Sequence, residues 1–311
     1  MIPFLLYMNI YGWVIFLAFI VLMLIIDLGI FNREAHTISY REALTWSLVW
    51  IILALLFNLG LYFYLGYQIA LEFFTGYILE KSLSVDNIFV FLVIFSYFKV
   101  ETKYQHKILF WGVVGAIIMR GIFIVLGAAL LIKFHWIIYI FGIFLIYTGI
   151  KMAFQKDNNL KPEELKVVKL AKKYFRFTDR IYGSRFFVKE NLKTVATPLF
   201  IVLIVVETMD LVFAFDSIPA ILAITNDTFV VFTSNIFAIL GLRALYFALA
   251  GVMDKFKFLK YGLAVILTFI GIKMLISGVF KIPTLISLLV IVLILIITIL
   301  ASIFSKGKIQ E

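Results

Sequence analysis

Apolar residues in this chain gather in long runs, without the period-two alternation of a strand or the one-sided stripe of a surface helix. Ile10–Ile26, Leu44–Leu65 and Leu285–Ile303 are the plainest cases. Each approaches or exceeds the roughly 20 residues that cross a hydrocarbon core as a helix. Nine such spans are predicted, at roughly 10–30, 44–65, 70–97, 108–131, 135–153, 197–225, 229–251, 260–279 and 283–304. The predicted fold is therefore all-α and polytopic.

The loops between the spans alternate in charge. Arg33 and Arg41, then Lys99, Lys103 and Lys107, then residues 151–196, then Lys255, Lys257 and Lys260, and finally Lys306 and Lys308 lie on one side. That side carries 22 of the 28 Lys and Arg, the other only Lys133 and Lys281, and the remaining four fall inside spans. Without the long fifth loop the ratio is still 10 to 2. Basic loops stay in the cytoplasm, so the N-terminus is expected outside and the C-terminus inside. Residues 1–26 hold no charged side chain, which does not match the positive start of a cleaved leader, so the first span is expected to be retained.

Composition agrees. The chain is 64% hydrophobic and 15% charged, against about 25% charged in a soluble domain. The net charge of +10 sits in membrane-flanking loops, so nucleic acid is not an expected partner. Cysteine is absent, which excludes disulfides, thiolate metal ligands and a cysteine nucleophile. In the fifth loop, Pro162-Glu163-Glu164 has the form of a helix start. Leu165, Val168, Ala171 and Tyr174 would share one face, with lysines between them. Such a helix could lie on anionic lipid or serve as a solvated connector.

The two halves resemble each other. Ser84-Val85-Asp86-Asn87-Ile88 aligns with Ala214-Phe215-Asp216-Ser217-Ile218, which sets Glu80 against Asp210. Arg120 aligns loosely with Arg243, and Gly149-Ile150-Lys151-Met152 recurs as Gly271-Ile272-Lys273-Met274. Three spans per copy make the second copy enter from the opposite side, an inverted repeat of the kind that places transport sites at the repeat interface. The expected organisation is 1–66 (two N-terminal spans), 67–154 (first repeat), 155–196 (basic cytoplasmic loop), 197–280 (second repeat) and 281–311 (last span and tail).

Charges inside these spans ask for an explanation, because a central one costs about 2.5–3.5 kcal/mol on insertion scales. They include Asp27, Glu72, Glu80, Lys81, Asp86, Arg120, Glu207, Asp210, Asp216, Arg243 and Lys273. Either they line a substrate path or they pair with one another, for instance with Arg120 and Arg243 neutralising carboxylates. Asp86 and Asp216 recur at equivalent places, which favours the first reading for them. Six residues turn a helix by about 600°, so Glu80 and Asp86 lie about 120° apart on a regular helix, as do Asp210 and Asp216. Converging them on one ion needs a break. Pro219 is expected to supply it in the second copy by freeing the carbonyl of Phe215. The polar groups in the repeated spans (carboxylates, Asn87, Ser217, Thr208) are oxygen donors, which suit magnesium, calcium and manganese, not zinc or copper. His36, His106 and His135 fall at loops or span ends.

Glu80–Phe91 (EKSLSVDNIFVF), Val206–Ala220 (VETMDLVFAFDSIPA) and Asp27–Leu44 (DLGIFNREAHTISYREAL), with Asn58 in the second span, resemble the TerC family of integral membrane proteins, closest to its Alx-like branch. The resemblance covers roughly residues 20–280. It implies manganese export across the bacterial cytoplasmic membrane, with Glu80, Asp86, Asn87, Glu207, Asp210, Asp216 and Ser217 binding the ion as cargo and no cofactor. A carboxylate-lined site argues against direct binding of tellurite, an anion. The competing readings are exchange of calcium or another cation, a membrane-embedded enzyme with paired carboxylates, and a scaffold whose basic loop binds a partner. The symmetric acids without a separate nucleophile weigh against an enzyme. A scaffold leaves the buried acids unexplained. Oligomeric state is not legible.

Overall fold

The computed structural model describes residues 10–26, 39–134, 136–154, 168–170, 173, 176–178, 182–190, 193–250 and 258–305, without the side chains of Asp86, Phe89 and Ile132. Asp27, His36, His135, most of the expected helix after Pro162, and Lys306 and Lys308 lie outside the described residues.

Among the described residues these helices follow in chain order: α1 (Ile10–Ile26), α2 (Tyr40–Leu65), α3 (Tyr67–Tyr97), α4 (Thr102–Lys133), α5 (Ile137–Phe154), α6 (Pro198–Leu222), α7 (Thr228–Leu240), α8 (Leu242–Leu249), α9 (Leu259–Ile276) and α10 (Thr284–Ser305). Their starts have local causes. Ser39 and Glu42 form a capping box that opens α2, Pro198 sits in the first turn of α6, and the Asp227 carboxylate accepts from the amides of Phe229 and Val230 at 2.8 and 3.2 Å to open α7. Among the described residues, seven segments are long and apolar enough to cross a membrane: α2, α4, α5, α6, α7 with α8, α9 and α10. The protein is thus a multi-pass helical membrane protein. Helix α1 is a shorter apolar helix of 17 residues, and α3, with Glu72, Glu80, Lys81 and Asp86 along its 31 residues, is not among the seven.

The α7–α8 segment is the centre, with 94% of its apolar window buried. Around it α3 packs on α7 and α8, α4 on α6 and α7, α2 on α3 and α8, and α5 on α9. Outer helices keep large apolar side chains exposed, such as Phe63, Leu293 and Phe304, which is what lipid contact requires. The α5–α9 pair is close enough that glycine is needed. A Cβ at Gly271 would stand 2.6 Å from the Gly142 carbonyl oxygen, and one at Gly149 would stand 2.6 Å from that of Ala264. Small residues at such crossings let backbones touch.

Three expectations change. Helix α6 runs unbroken through Pro219 to Leu222, because a proline this near a helix C-terminus removes only one of its last hydrogen bonds. The interruption falls instead at Gly241, between α7 and α8, in what had been expected as one span. Lys81 approaches this break, its ammonium donating to the Ala238 carbonyl at 3.4 Å, a cation on the negative end of a helix. Third, part of the fifth loop is a β-hairpin, β1 (Phe187–Glu190) with β2 (Lys193–Ala196), paired antiparallel with Phe187 opposite Ala196. It leads into α6, with the Phe187 and Phe200 rings 4.5 Å apart. Val168 is buried in an apolar cluster with Phe91, Phe95 and Leu199, so the loop folds back on the bundle.

Candidate functional site

The intramembrane acids converge through an arginine. Glu80 lies near the middle of α3, Asp210 near the middle of α6, and Arg120 past the middle of α4. Helix α4 comes close to α6 because it presents glycine there. A Cβ at Gly112 would meet Val206, and one at Gly115 would fall 2.2 Å from the Glu207 carboxylate. This brings the Arg120 guanidinium, 1% exposed, between the two acids. Its Nε donates to Asp210 Oδ2 at 3.1 Å and its Nη2 to Asp210 Oδ1 at 2.9 Å. Nη1 donates to Glu80 Oε1, to Asn235 Oδ1 at 3.3 Å and to Ser217 Oγ at 3.4 Å. Asp210 is thus held by a two-toothed fork, the strongest form of arginine–carboxylate bond. Arg120 thus meets two carboxylates, with Asp216 and Arg243 lining the cavities beside them.

Beside it lies a small cavity of about 10 Å³, lined by Glu80, Asn87, Arg120, Asp216 and Ser217 with Leu83, Phe213, Met152 and Leu267. That is room for about one water-sized body. Asp216 Oδ1 accepts from the Thr148 hydroxyl on α5 at 3.1 Å. The second oxygen of Glu80, Oε2, is buried with no hydrogen-bond partner among the described residues. A second small cavity is lined by Asp210, Arg243, Gly112, Val206 and six more apolar or small side chains.

Of the seven expected ligands, Glu80, Asn87, Asp216 and Ser217 share the first cavity, and Asp210 adjoins it through Arg120. Glu207 lines neither cavity and stands against Gly115. The backbone of Asp86 belongs to α3, and its side chain lies outside the described residues. Thr208 turns its hydroxyl back on its own helix, donating to the Ile204 carbonyl at 2.7 Å. Among the described residues, no three carboxylates or imidazoles stand together as a ready metal cage. Sequence reasoning missed Asn235 and Thr148. The first had a signal, the polar run Thr233-Ser234-Asn235 inside an otherwise apolar span. The second had none, since hydroxyls are ordinary in spanning helices. Arg120 had been weighed only as a structural counter-charge.

The family model described as the integral membrane protein TerC family matches residues 65–310. The chain is 50% identical over 294 residues to a Myxococcus xanthus protein called "Uncharacterized membrane protein STKORF319", covering 94% of this chain and 92% of that one. It is also 50% identical over 295 residues to the Escherichia coli K12 protein called "Putative membrane-bound redox modulator Alx", with 92% of each covered. A Rickettsia felis membrane protein is 44% identical over 300 residues, covering 96% of this chain and all of its own length. No solved structure matches significantly.

Proposed function

The chain belongs to the TerC family of integral membrane proteins, and from that premise we propose that it carries a hard divalent cation, manganese before calcium, out of the bacterial cytoplasm. The carrying observation is that Glu80 and Asp210, aligned positions of the two halves, meet inside the helix bundle next to a cavity walled by Asp216, Asn87 and Ser217. Its polar wall is oxygen donors plus one guanidinium, a set suited to magnesium, manganese or calcium. The neighbour pattern supports an inverted repeat. Exchanging α3, α4 and α5 with α6, α7–α8 and α9 maps the α3–α7 contact onto α6–α4 and returns α5–α9 to itself. The same exchange maps the Gly149–Ala264 approach onto Gly271–Gly142. In such folds the cargo sits between the repeats, and rocking one against the other alternates access.

In this reading the protein is a carrier in the cytoplasmic membrane, with its N-terminus outside, its C-terminus inside and the basic fifth loop on the cytoplasmic, anionic leaflet. The carboxylates also offer a return path for protons, which would couple efflux to the proton gradient. A thiol-based redox role finds no support in a chain without cysteine. The test is metal uptake by proteoliposomes of the purified chain, run with Mn²⁺, Ca²⁺ and Mg²⁺, with and without a pH gradient. Saturable Mn²⁺ uptake that Asp216→Asn abolishes is the expected result. Uptake equal to that of empty liposomes for all three ions overturns the reading.

A further inference from the structure

We infer that Arg120 is a tethered occupant of the cation site: its guanidinium fills the place between Glu80 and Asp210 that a divalent ion takes, and the ion binds only as the arginine withdraws. The inference rests on the reading of this site as cation-binding and adds what competes for it.

The guanidinium is surrounded by oxygen. Its bonds go to five oxygen atoms, on Glu80, Asp210, Ser217 and Asn235, contributed by α3, α6 and α7. Carboxylate, hydroxyl and amide oxygens from several elements are what a hard divalent ion gathers as ligands. Glu80 Oε2, buried and without a described partner, is a sixth oxygen that the arginine leaves unspent. The adjoining cavity gives an ion a place to approach from.

A permanent strut is the competing account, and it explains less. Buried ion clusters contribute little net stability compared with apolar packing of the same volume, and a membrane interior penalises them further. Arginine stays protonated at any working pH, so with Arg120 in place the two carboxylates retain one negative charge. Replacing that single charge with a divalent ion brings the cluster to zero. A sodium or potassium ion only restores what Arg120 already supplies. The arginine therefore sets a threshold that favours divalent over monovalent cargo.

The test is Mn²⁺ binding to the full chain in lipid nanodiscs, with free Mn²⁺ read from its electron paramagnetic resonance signal. Arg120→Gln removes the competitor and should lower the Mn²⁺ Kd by about tenfold or more, equivalent to ~1.4 kcal/mol. Arg120→Lys keeps a tethered charge and should stay nearer the wild type. If Arg120→Gln does not accumulate, the double variant Arg120→Gln/Asp210→Asn, which keeps the cluster's net charge, is compared with Asp210→Asn alone and should bind more tightly. A folded Arg120→Gln with unchanged or weaker Mn²⁺ affinity overturns the inference, as does a double variant no tighter than Asp210→Asn. Wild-type uptake with no gain in affinity for Arg120→Gln sinks the arginine's role and leaves transport standing. A gain in affinity without wild-type uptake supports the competition and sinks transport alone.

Discussion

Asp210 and Asp216 stand six residues apart on α6, and the structure gives them opposite sensitivities to the same change. Asp→Asn keeps the size and one oxygen acceptor and removes the charge. At Asp210 that oxygen pair receives two N–H bonds from Arg120, at 3.1 and 2.9 Å, in a position 3% exposed. An amide there can accept only one of them and turns its own NH₂ toward a guanidinium N–H. Hydrogen bonds to charged groups contribute about 1.5–3 kcal/mol each, and removing one partner of a buried pair costs about 3–5 kcal/mol. Glu80 still neutralises Arg120, so the lower end applies. About 3 kcal/mol lowers the folded-to-unfolded ratio roughly a hundredfold. At Asp216 the contact with Thr148 survives, because Oδ1 remains an acceptor for the hydroxyl. Asp216→Asn should lose less stability than Asp210→Asn, while its charge is gone from the cavity. Membrane abundance, thermal unfolding in detergent and Mn²⁺ uptake, measured on both variants, read the difference. Asp210→Asn should be scarce and melt early. Asp216→Asn should accumulate normally and fail to transport. An Asp210→Asn protein that melts with the wild type refutes the structural reasoning, and a fully active Asp216→Asn protein refutes the site.

Three further outcomes are expected. Gly271→Ala places a methyl 2.6 Å from the Gly142 carbonyl oxygen, an overpacking against backbone that should cost about 1–3 kcal/mol in melting experiments. Gly60→Ala, with nothing within 4 Å of the added carbon, should melt at or above the wild type, and equal losses at both sites would refute the α5–α9 crossing. A reporter fused after Lys308 should signal a cytoplasmic end, and periplasmic activity there would reverse the orientation. Cells lacking the protein should accumulate manganese under manganese load with unchanged zinc and copper tolerance. Unchanged cellular manganese would count against the cargo.

Most of the helices were legible because a spanning segment announces itself by length and apolarity alone, both local properties. Boundaries for α2, α5, α9 and α10 lie within a few residues of the expected ones. The errors fall where a local signal depends on its surroundings. Pro219 reads as a helix breaker, yet three residues before the end of α6 it has little helix left to break. Gly241 reads as an ordinary glycine within an apolar run, yet α7 gives way to α8 there, and a Cβ at that place would fall 2.6 Å from the Lys81 ammonium. The β-hairpin escaped because two four-residue strands carrying Lys, Glu and Thr look like any polar loop until Phe187 is seen opposite Ala196.

The site was legible as a list and illegible as an arrangement. Helical angles showed that Glu80 and Asp86 face about 120° apart, which suggested a break as the way to bring acids together. The structure brings together the matching members of the two halves instead, Glu80 from α3 and Asp210 from α6, and no intrahelical spacing contains that contact. The arginine was visible too, but its meaning depends on where it meets them. Two carboxylates at aligned positions can share a single guanidinium that lies between them. In sequence Arg120 and Arg243 are aligned, however loosely, and nothing in the alignment separates their roles. In this structure Arg120 lies between the acids, while Arg243 lies by the neighbouring cavity with Asp210. The two aligned arginines therefore take different places, and a repeat alignment, which treats them alike, cannot say which of them will lie between the acids.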